Sequence, residues 1–236
     1  MKPIAPDVWQ LEGAPMRMPG GVYMPLASAV LRLADRTLLV YSPIRIDGAQ
    51  AAAIEAEGEV AHIVAPNLFH HLHVQAASER WPRATVHAPP GLAAKRGDLH
   101  LHRELASGAL DPGVPEVEVE IVGGAPKLNE ALLFHRPSGT LVCADLLFNI
   151  TQPANLRTRF ALSIMGVGGR TLMQSRLWRT LVKDRAALRA SIDRVLGWPI
   201  AVVLPAHGDA VTIDAAHLAP KLSRSYGRHV AVPPPG

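Results

Sequence analysis

Ala65-Pro66-Asn67-Leu68-Phe69-His70-His71-Leu72-His73 places three histidines in four positions, directly after the apolar run Val60-Ala61-His62-Ile63-Val64. A continuous apolar pentapeptide of this kind is what a strand buried on both faces requires. The imidazoles therefore follow a core strand, where the chain leaves the sheet. Asn67 is a good helix N-cap, and the reading that follows is a helix over 68–80, stopped by Trp81-Pro82, with His70, His71 and His73 in its first turns. If those rings hold a metal, later strand ends must supply further ligands. If they do not, this is a polar, hydrogen-bonded turn.

Two later strand ends do offer ligands. The run Thr140-Leu141-Val142-Cys143-Ala144 ends on Asp145, and Ile200-Ala201-Val202-Val203-Leu204 ends in Pro205-Ala206-His207-Gly208. In α/β sheets functional groups gather at one edge of the strands, so residues distant in sequence converge there. Imidazole and carboxylate are ligands for zinc, and they suit iron or manganese as well. Asp145 stands in the apolar context Leu-Val-Cys-Ala-Asp-Leu-Leu-Phe, and a carboxylate buried there needs a partner.

Outward from these ends the chain is rich in strands. Residues 8–11, 22–33 and 37–41 read as β structure, with Asp35-Arg36 turning between the last two. A helix over 47–57 is capped by Asp47, and short strands follow at 84–87, 116–122 and 131–135. Pro137-Ser138-Gly139 makes a hairpin turn before Asp145. Residues 100–115 read as an irregular connection, and 149–169 as a mixed segment in which Gly166, Gly168 and Gly169 suggest a mobile loop or helix boundary. Helices are expected over 171–183, 184–196 and 213–226, ahead of a disordered tail at 230–236. The expectation is a single domain over residues 1–236.

The order of these ligands resembles that of the metallo-β-lactamase superfamily, which implies an α/β fold: a four-layer αββα sandwich with two mixed β-sheets. In that superfamily the first ligand strand ends in His-x-His-x-Asp-His. Here His71 falls on the last histidine, His70 on the aspartate, and Pro66 and Leu68 on the two leading histidines. Asp145 matches the aspartate that can bridge two metals, and His207 the final histidine. The superfamily's Gly-His loop reads Gly123-Gly124-Ala125-Pro126-Lys127-Leu128, without histidine. The resemblance thus implies one metal site built from His70, His71, Asp145 and His207, with Asn67, His73 and His135 as candidates for supporting contacts around it.

Ser42-Pro43, Val64-Ala65-Pro66-Asn67 with His70-His71, Phe134-His135-Arg136-Pro137-Ser138-Gly139-Thr140-Leu141 and Asp145-Leu146 are similar to the uncharacterised bacterial family named domain of unknown function 4336. That family is regarded as a divergent branch of the same fold and has no established activity.

The chemistry implied is hydrolysis. One divalent transition metal, zinc first and iron or manganese next, lowers the pKa of bound water from about 15.7 towards 7 and so provides a nucleophile at neutral pH. Histidine in place of aspartate makes the site less negative by one charge, which favours a small, anionic substrate and weakens capture of the metal. The alternative is a non-catalytic binding or scaffold protein of the same fold, from which the first metal site has been lost. The sequence leaves the oligomeric state open.

Composition narrows the remaining classes. Across 236 residues the hydrophobic fraction of 48% and charged fraction of 19% are those of an ordinary globular protein. A net charge of +4 and a pI near 9.6 permit an anionic partner without demanding nucleic acid, and the basic run Arg170, Arg176, Arg179, Lys183, Arg185, Arg189 and Arg194 reads most simply as a solvated helix face. The single cysteine, Cys143, forms no internal disulfide, so a cytoplasmic setting is expected. Pro3, Pro6 and Asp7 interrupt any secretory leader, and no apolar run reaches the roughly 18 residues that span a bilayer. No Gly-x-Ser-x-Gly elbow is present, which removes the usual serine hydrolase.

Overall fold

The computed structural model describes residues 1–168 and 172–223. Gly169, Arg170, the start of the expected helix at Thr171, the end of the expected last helix and the tail at 230–236 lie outside the described residues.

Two large mixed sheets form the centre. In the first, Lys2–Ala5, Val8–Glu12, Ala27–Arg32, Leu38–Tyr41, Val60–Val64, Thr85–Ala88 and Arg103–Glu104 lie side by side in that order. The first four are antiparallel, and the pairings from Leu38–Tyr41 onward are parallel. The second runs Gly108–Ala109, Val117–Ile121, Ala131–His135, Thr140–Cys143, Val202–Pro205 and Val211–Thr212, with a parallel pairing between Thr140–Cys143 and Val202–Pro205.

Strand period explains the layering, because alternate side chains point to opposite faces. Leu31, Leu39 and Tyr41 meet Val119, Leu133, Val142 and Leu204 in a core between the sheets. Their neighbours Val30, Leu38 and Val40 face the other way, against Ala51 and Ile54 of helix Gly48–Glu55 and Val74 and Ala77 of helix Val74–Arg80. On the far side Leu132, Phe134, Leu141 and Cys143 pack against Leu188, Ile192 and Val195 of helix Arg185–Leu196 and Leu218 of helix Ala215–Leu222. The result is helix, sheet, sheet, helix, as expected.

The expected strand over 22–33 is two pieces. Pro25 cannot donate to a ladder, and it separates Val22–Met24 from Ala27–Arg32. The first piece pairs with Met16–Met18 in a small separate hairpin. Residues 149–169 contain a helix, Leu156–Met165, capped by Asn155 and ended by Gly166 at φ 78°. The connection at 100–115 carries two short strands, one in each large sheet. No helix of the described residues is long and apolar enough to cross a membrane.

Candidate metal centre

Strand Val60–Val64 delivers the chain to Asn67, but the helix expected from 68 starts at Val74. Asn67 does cap the turn, since its Oδ1 accepts the N–H groups of Phe69 and His70 at 2.8 Å each. Its Nδ2 is committed elsewhere, donating to Asp145 Oδ2 at 2.7 Å. Held at both ends of its amide, Asn67 fixes a non-helical loop that turns His70 inward. The consecutive histidines therefore diverge.

His70 Nε2 lies 3.1 Å from His207 Nε2 and 3.4 Å from Asp145 Oδ2, and His207 Nε2 lies 3.4 Å from Asp145 Oδ1. These three residues form the one group among the described residues that offers three or more metal-ligating atoms together. A tetrahedral ion with bonds of about 2.0–2.2 Å holds its ligand atoms roughly 3.3–3.6 Å apart, so the two 3.4 Å separations match such an ion and the 3.1 Å histidine pair would open by a few tenths of an ångström.

The far side of each ring fixes its chemistry. His207 Nδ1 lies 2.8 Å from the Pro25 carbonyl. A carbonyl only accepts, so Nδ1 carries a proton and donates to it, which leaves Nε2 turned to the site. Phe148 stacks on the same ring at 4.9 Å and 5°. His70 Nδ1 is 3.0 Å from Ser42 Oγ, and the Ser42 carbonyl accepts a 2.7 Å bond from Ser28 Oγ. Imidazole lone pairs and a carboxylate in one place repel one another unless a cation, proton or metal, sits between them. Accordingly, although burial disfavours charge on His70, the charge of Asp145 and its hydrogen bond raise the pKa above its ordinary value. Burial works against Asp145 too, but the charge of His70 and hydrogen bonds from His207 and His70 hold it well below the usual carboxylate range.

A buried carboxylate behind the site went unnoticed in the sequence. Glu130 is fully buried, and its Oε1 accepts the consecutive amides of Ala144, Asp145 and Leu146 at 2.8, 3.1 and 3.1 Å. It clamps the turn that aims Asp145. The available signal was an acid abutting the apolar run 131–134. Nothing in the sequence marked the Pro25 carbonyl.

His71 does not join the group: its Nδ1 lies 2.7 Å from the Arg96 guanidinium, and burial, then Lys95 and Arg96, lower its pKa. His73 lines the cavity in front of the site, its pKa lowered by burial and then by Arg45. His135 pairs across from Thr140, at the opposite end of the strand that leads to Asp145, and its Nδ1 meets Ser138 Oγ at 2.8 Å. It is not part of the site. Of the basic run, Arg189 pairs with Asp193 and Arg194 with Glu120.

A metallo-beta-lactamase from Pontibacter korlensis aligns with 96% of this chain and 98% of its own, at a TM-score of 0.64 and 16% identity. The fold is that of the metallo-β-lactamases. The FIM-1 metallo-beta-lactamase from Pseudomonas aeruginosa in its mono-zinc form gives 0.57 over 89% and 88% of the chains at 13% identity. The metal-soaked Flv1 flavodiiron core from Synechocystis sp. PCC6803 gives 0.62 at 11% identity over 95% of this chain, which spans 59% of that one. No family model matches the chain, and no curated protein matches it, so the metallo-β-lactamase fold is established by shape alone.

Pro66 and Leu68, which the resemblance sets at the two leading histidine positions, carry no ligating side chain, and the Pro66 carbonyl accepts the Ala131 N–H at 2.7 Å. The loop holding Gly124 serves structure as well, since its carbonyl accepts the N–H groups of Lys183 and Asp184.

Proposed function

We propose that this chain is a mononuclear metal-dependent hydrolase of a small molecule, with His70, Asp145 and His207 as the protein ligands. One observation carries the reading. Three potential ligand atoms converge at 3.1 to 3.4 Å on a cavity of about 650 Å³, a volume typical of small-molecule sites. Three protein ligands with a side open to the cavity is the arrangement of a catalytic zinc site, and zinc is the first expectation, iron or manganese the next. When bound, the ion supplies Lewis acidity toward water and toward a scissile carbonyl or phosphoryl oxygen.

The protein's own contributions are positional. Pro25 holds His207 in the tautomer that presents Nε2, Asn67 and Glu130 aim Asp145, and Ser42 orients His70. Such supporting hydrogen bonds keep ligands in a geometry that flexible side chains would otherwise leave. Membership of the branch named domain of unknown function 4336, and a cytoplasmic setting suggested by the single buried Cys143, belong to the same proposal.

Elemental analysis of the purified protein tests it, followed by a panel of ester, thioester, lactone and phosphodiester substrates with and without chelator. We expect close to one equivalent of zinc, iron or manganese and a chelator-sensitive activity, both lost in His207→Ala while the far-ultraviolet circular dichroism is kept. Protein that neither carries nor takes up these metals would overturn the reading in favour of a non-catalytic binding protein. That second reading draws on Pro66 and Leu68, which remove the ligands of a further metal.

A further inference from the structure

The walls of the cavity differ sharply from its floor. Above His70, Asp145 and His207 the lining is formed by Met18, Met24, Leu26, Phe148, Met165 and Leu181 among others. Methionine is unbranched and polarisable, so a wall built from several of them adapts to irregular or flexible apolar ligands. Two separate elements contribute these methionines. The hairpin of Met16–Met18 and Val22–Met24 is fastened to helix Leu156–Met165 by a bond from Tyr23 N–H to Thr158 Oγ1 at 3.0 Å and one from Asn155 Nδ2 to the Gly21 carbonyl at 3.2 Å.

The exposed apolar residues collect at the same place. Seven large hydrophobic side chains are exposed among the described residues, and four of them, Met16, Phe69, Leu72 and Leu177, line this cavity. The other three, Leu156, Phe160 and Ile164, stand one turn apart on the helix whose Met165 also lines it. Scattered single hydrophobics need no explanation, whereas a cluster around one opening marks a binding surface.

Among the described residues one cation lines this apolar surround. Arg45 lines the cavity, is solvent-exposed, and makes no ion pair or hydrogen bond with any described residue. It lies three residues beyond Ser42, whose hydroxyl touches His70, so the chain places the two Cα atoms within roughly 11 Å of each other. His73 is close enough to feel its charge. Among the described residues the acidic side chains lining the cavity are limited to Asp145, which the two histidines already engage.

We propose that the substrate is an amphiphilic anion: an apolar chain of the alkyl or acyl type lies along the methionine wall, and its anionic group is held by Arg45. The inference rests on the small-molecule hydrolase reading for the word substrate, but the binding it claims does not need the metal.

Isothermal titration calorimetry with butanoate, octanoate and dodecanoate below their micellar concentrations, and with the matching alcohols, tests this, on protein as isolated and after chelator treatment. Affinity should rise by about fourfold for each added methylene until the cavity is filled. Arg45→Gln, an exposed change that breaks no contact, should weaken dodecanoate by roughly two- to fivefold and leave dodecanol unchanged, the scale of a solvent-exposed ion pair. Leu177→Glu, also exposed, should weaken both ligands.

Binding that is indifferent to chain length, or carboxylate binding that Arg45→Gln leaves intact and chelator abolishes, would overturn the proposal, the latter by assigning the carboxylate to the metal. Chain-length-dependent, Arg45-dependent binding by a protein that neither carries nor takes up zinc, iron or manganese would sustain the amphiphile and defeat the hydrolase.

Discussion

The main-chain N–H of Asp145 donates to Glu130 Oε1 at 3.1 Å, so one acidic residue is steered by the backbone grip of another. The two carboxylates do not meet head to head. Glu130 faces the amides of residues 144–146 and, at 3.4 Å, the indole N–H of Trp178, while Asp145 turns its oxygens to Asn67, His70 and His207. Burial and then the charge of Asp145 push Glu130 up to about 7. Glu130→Ala leaves three buried amides without an acceptor and is expected to cost about 3–5 kcal/mol in denaturant unfolding. Glu130→Gln keeps a carbonyl oxygen in place and should cost about 1–2 kcal/mol. Equal losses in the two variants would mean that the clamp is electrostatic and not a matter of acceptor geometry.

His70 and His71 separate by experiment because their rings have different neighbours. His70→Ala removes one of three converging ligand atoms and should abolish metal retention in equilibrium dialysis, with the fold preserved. His71→Ala breaks the 2.7 Å contact with Arg96, whose guanidinium also pairs with Asp98. It should retain the metal and lower the unfolding free energy by about 1 kcal/mol. Loss of metal in both variants would restore His71 as a ligand.

That divergence marks the limit of what the sequence disclosed. Strands Val60–Val64 and Ala131–His135 were legible because continuous apolar runs are bounded by breakers, and the ligands at three strand ends followed from the way such strands share an edge. Which of two adjacent histidines faces inward depends on the backbone angles of one loop, and the cap signal of Asn67 suggested a helix there. The side chain does cap, but its other end answers to Asp145, which lies 78 residues away in sequence. Helix Leu156–Met165 was hidden for a different reason. Its apolar residues at 156, 160 and 164 face outward, so its pattern matches no ordinary core helix.

Stability should fall as pH drops below neutrality, and His87 is a principal cause. It is 1% exposed, its Nε2 lies 3.0 Å from His62 Nδ1, and burial followed by the charge of His62 lowers its pKa to about 4. Asp111 opposes this shift, and Arg103 and His102 add to it. Because the folded pKa lies below the unfolded value of 6.5, the unfolded chain binds the proton first. The contribution is complete above about pH 6.5 and is lost as pH falls toward 4, roughly 3 kcal/mol between pH 7 and pH 4. Urea unfolding at pH 4, 5, 6 and 7 measures it. His87→Gln should flatten the slope by that amount, and an unchanged slope would assign the acid sensitivity to other groups.

Gly208, next to His207, tests how tightly the ligand is held from behind. It has φ +102°, which side-chain-bearing residues rarely adopt, and a Cβ added there would land on the carbonyl group of Asn149. That carbonyl accepts the Asp209 N–H at 3.1 Å, while the Asn149 N–H donates to the His207 carbonyl at 2.9 Å and Gln10 Nε2 donates to the Gly208 carbonyl at 2.6 Å. Segment 148–150 and residues 207–209 are thus laced together, with Phe148 stacked on the His207 ring. Gly208→Ala must push these strands apart, which moves the ring off its 2.8 Å bond to Pro25. Backbone strain alone is worth about 1–3 kcal/mol. The control is Gly20→Ala, where φ is +77° but nothing lies within 4 Å of the added Cβ, so only the strain remains. Thermal unfolding with metal titration on both variants separates the effects: Gly208→Ala should lose stability beyond the control and bind metal at least tenfold more weakly, and Gly20→Ala should bind it as the parent does. Equal metal affinities would show that His207 keeps its position without the Asn149 contact.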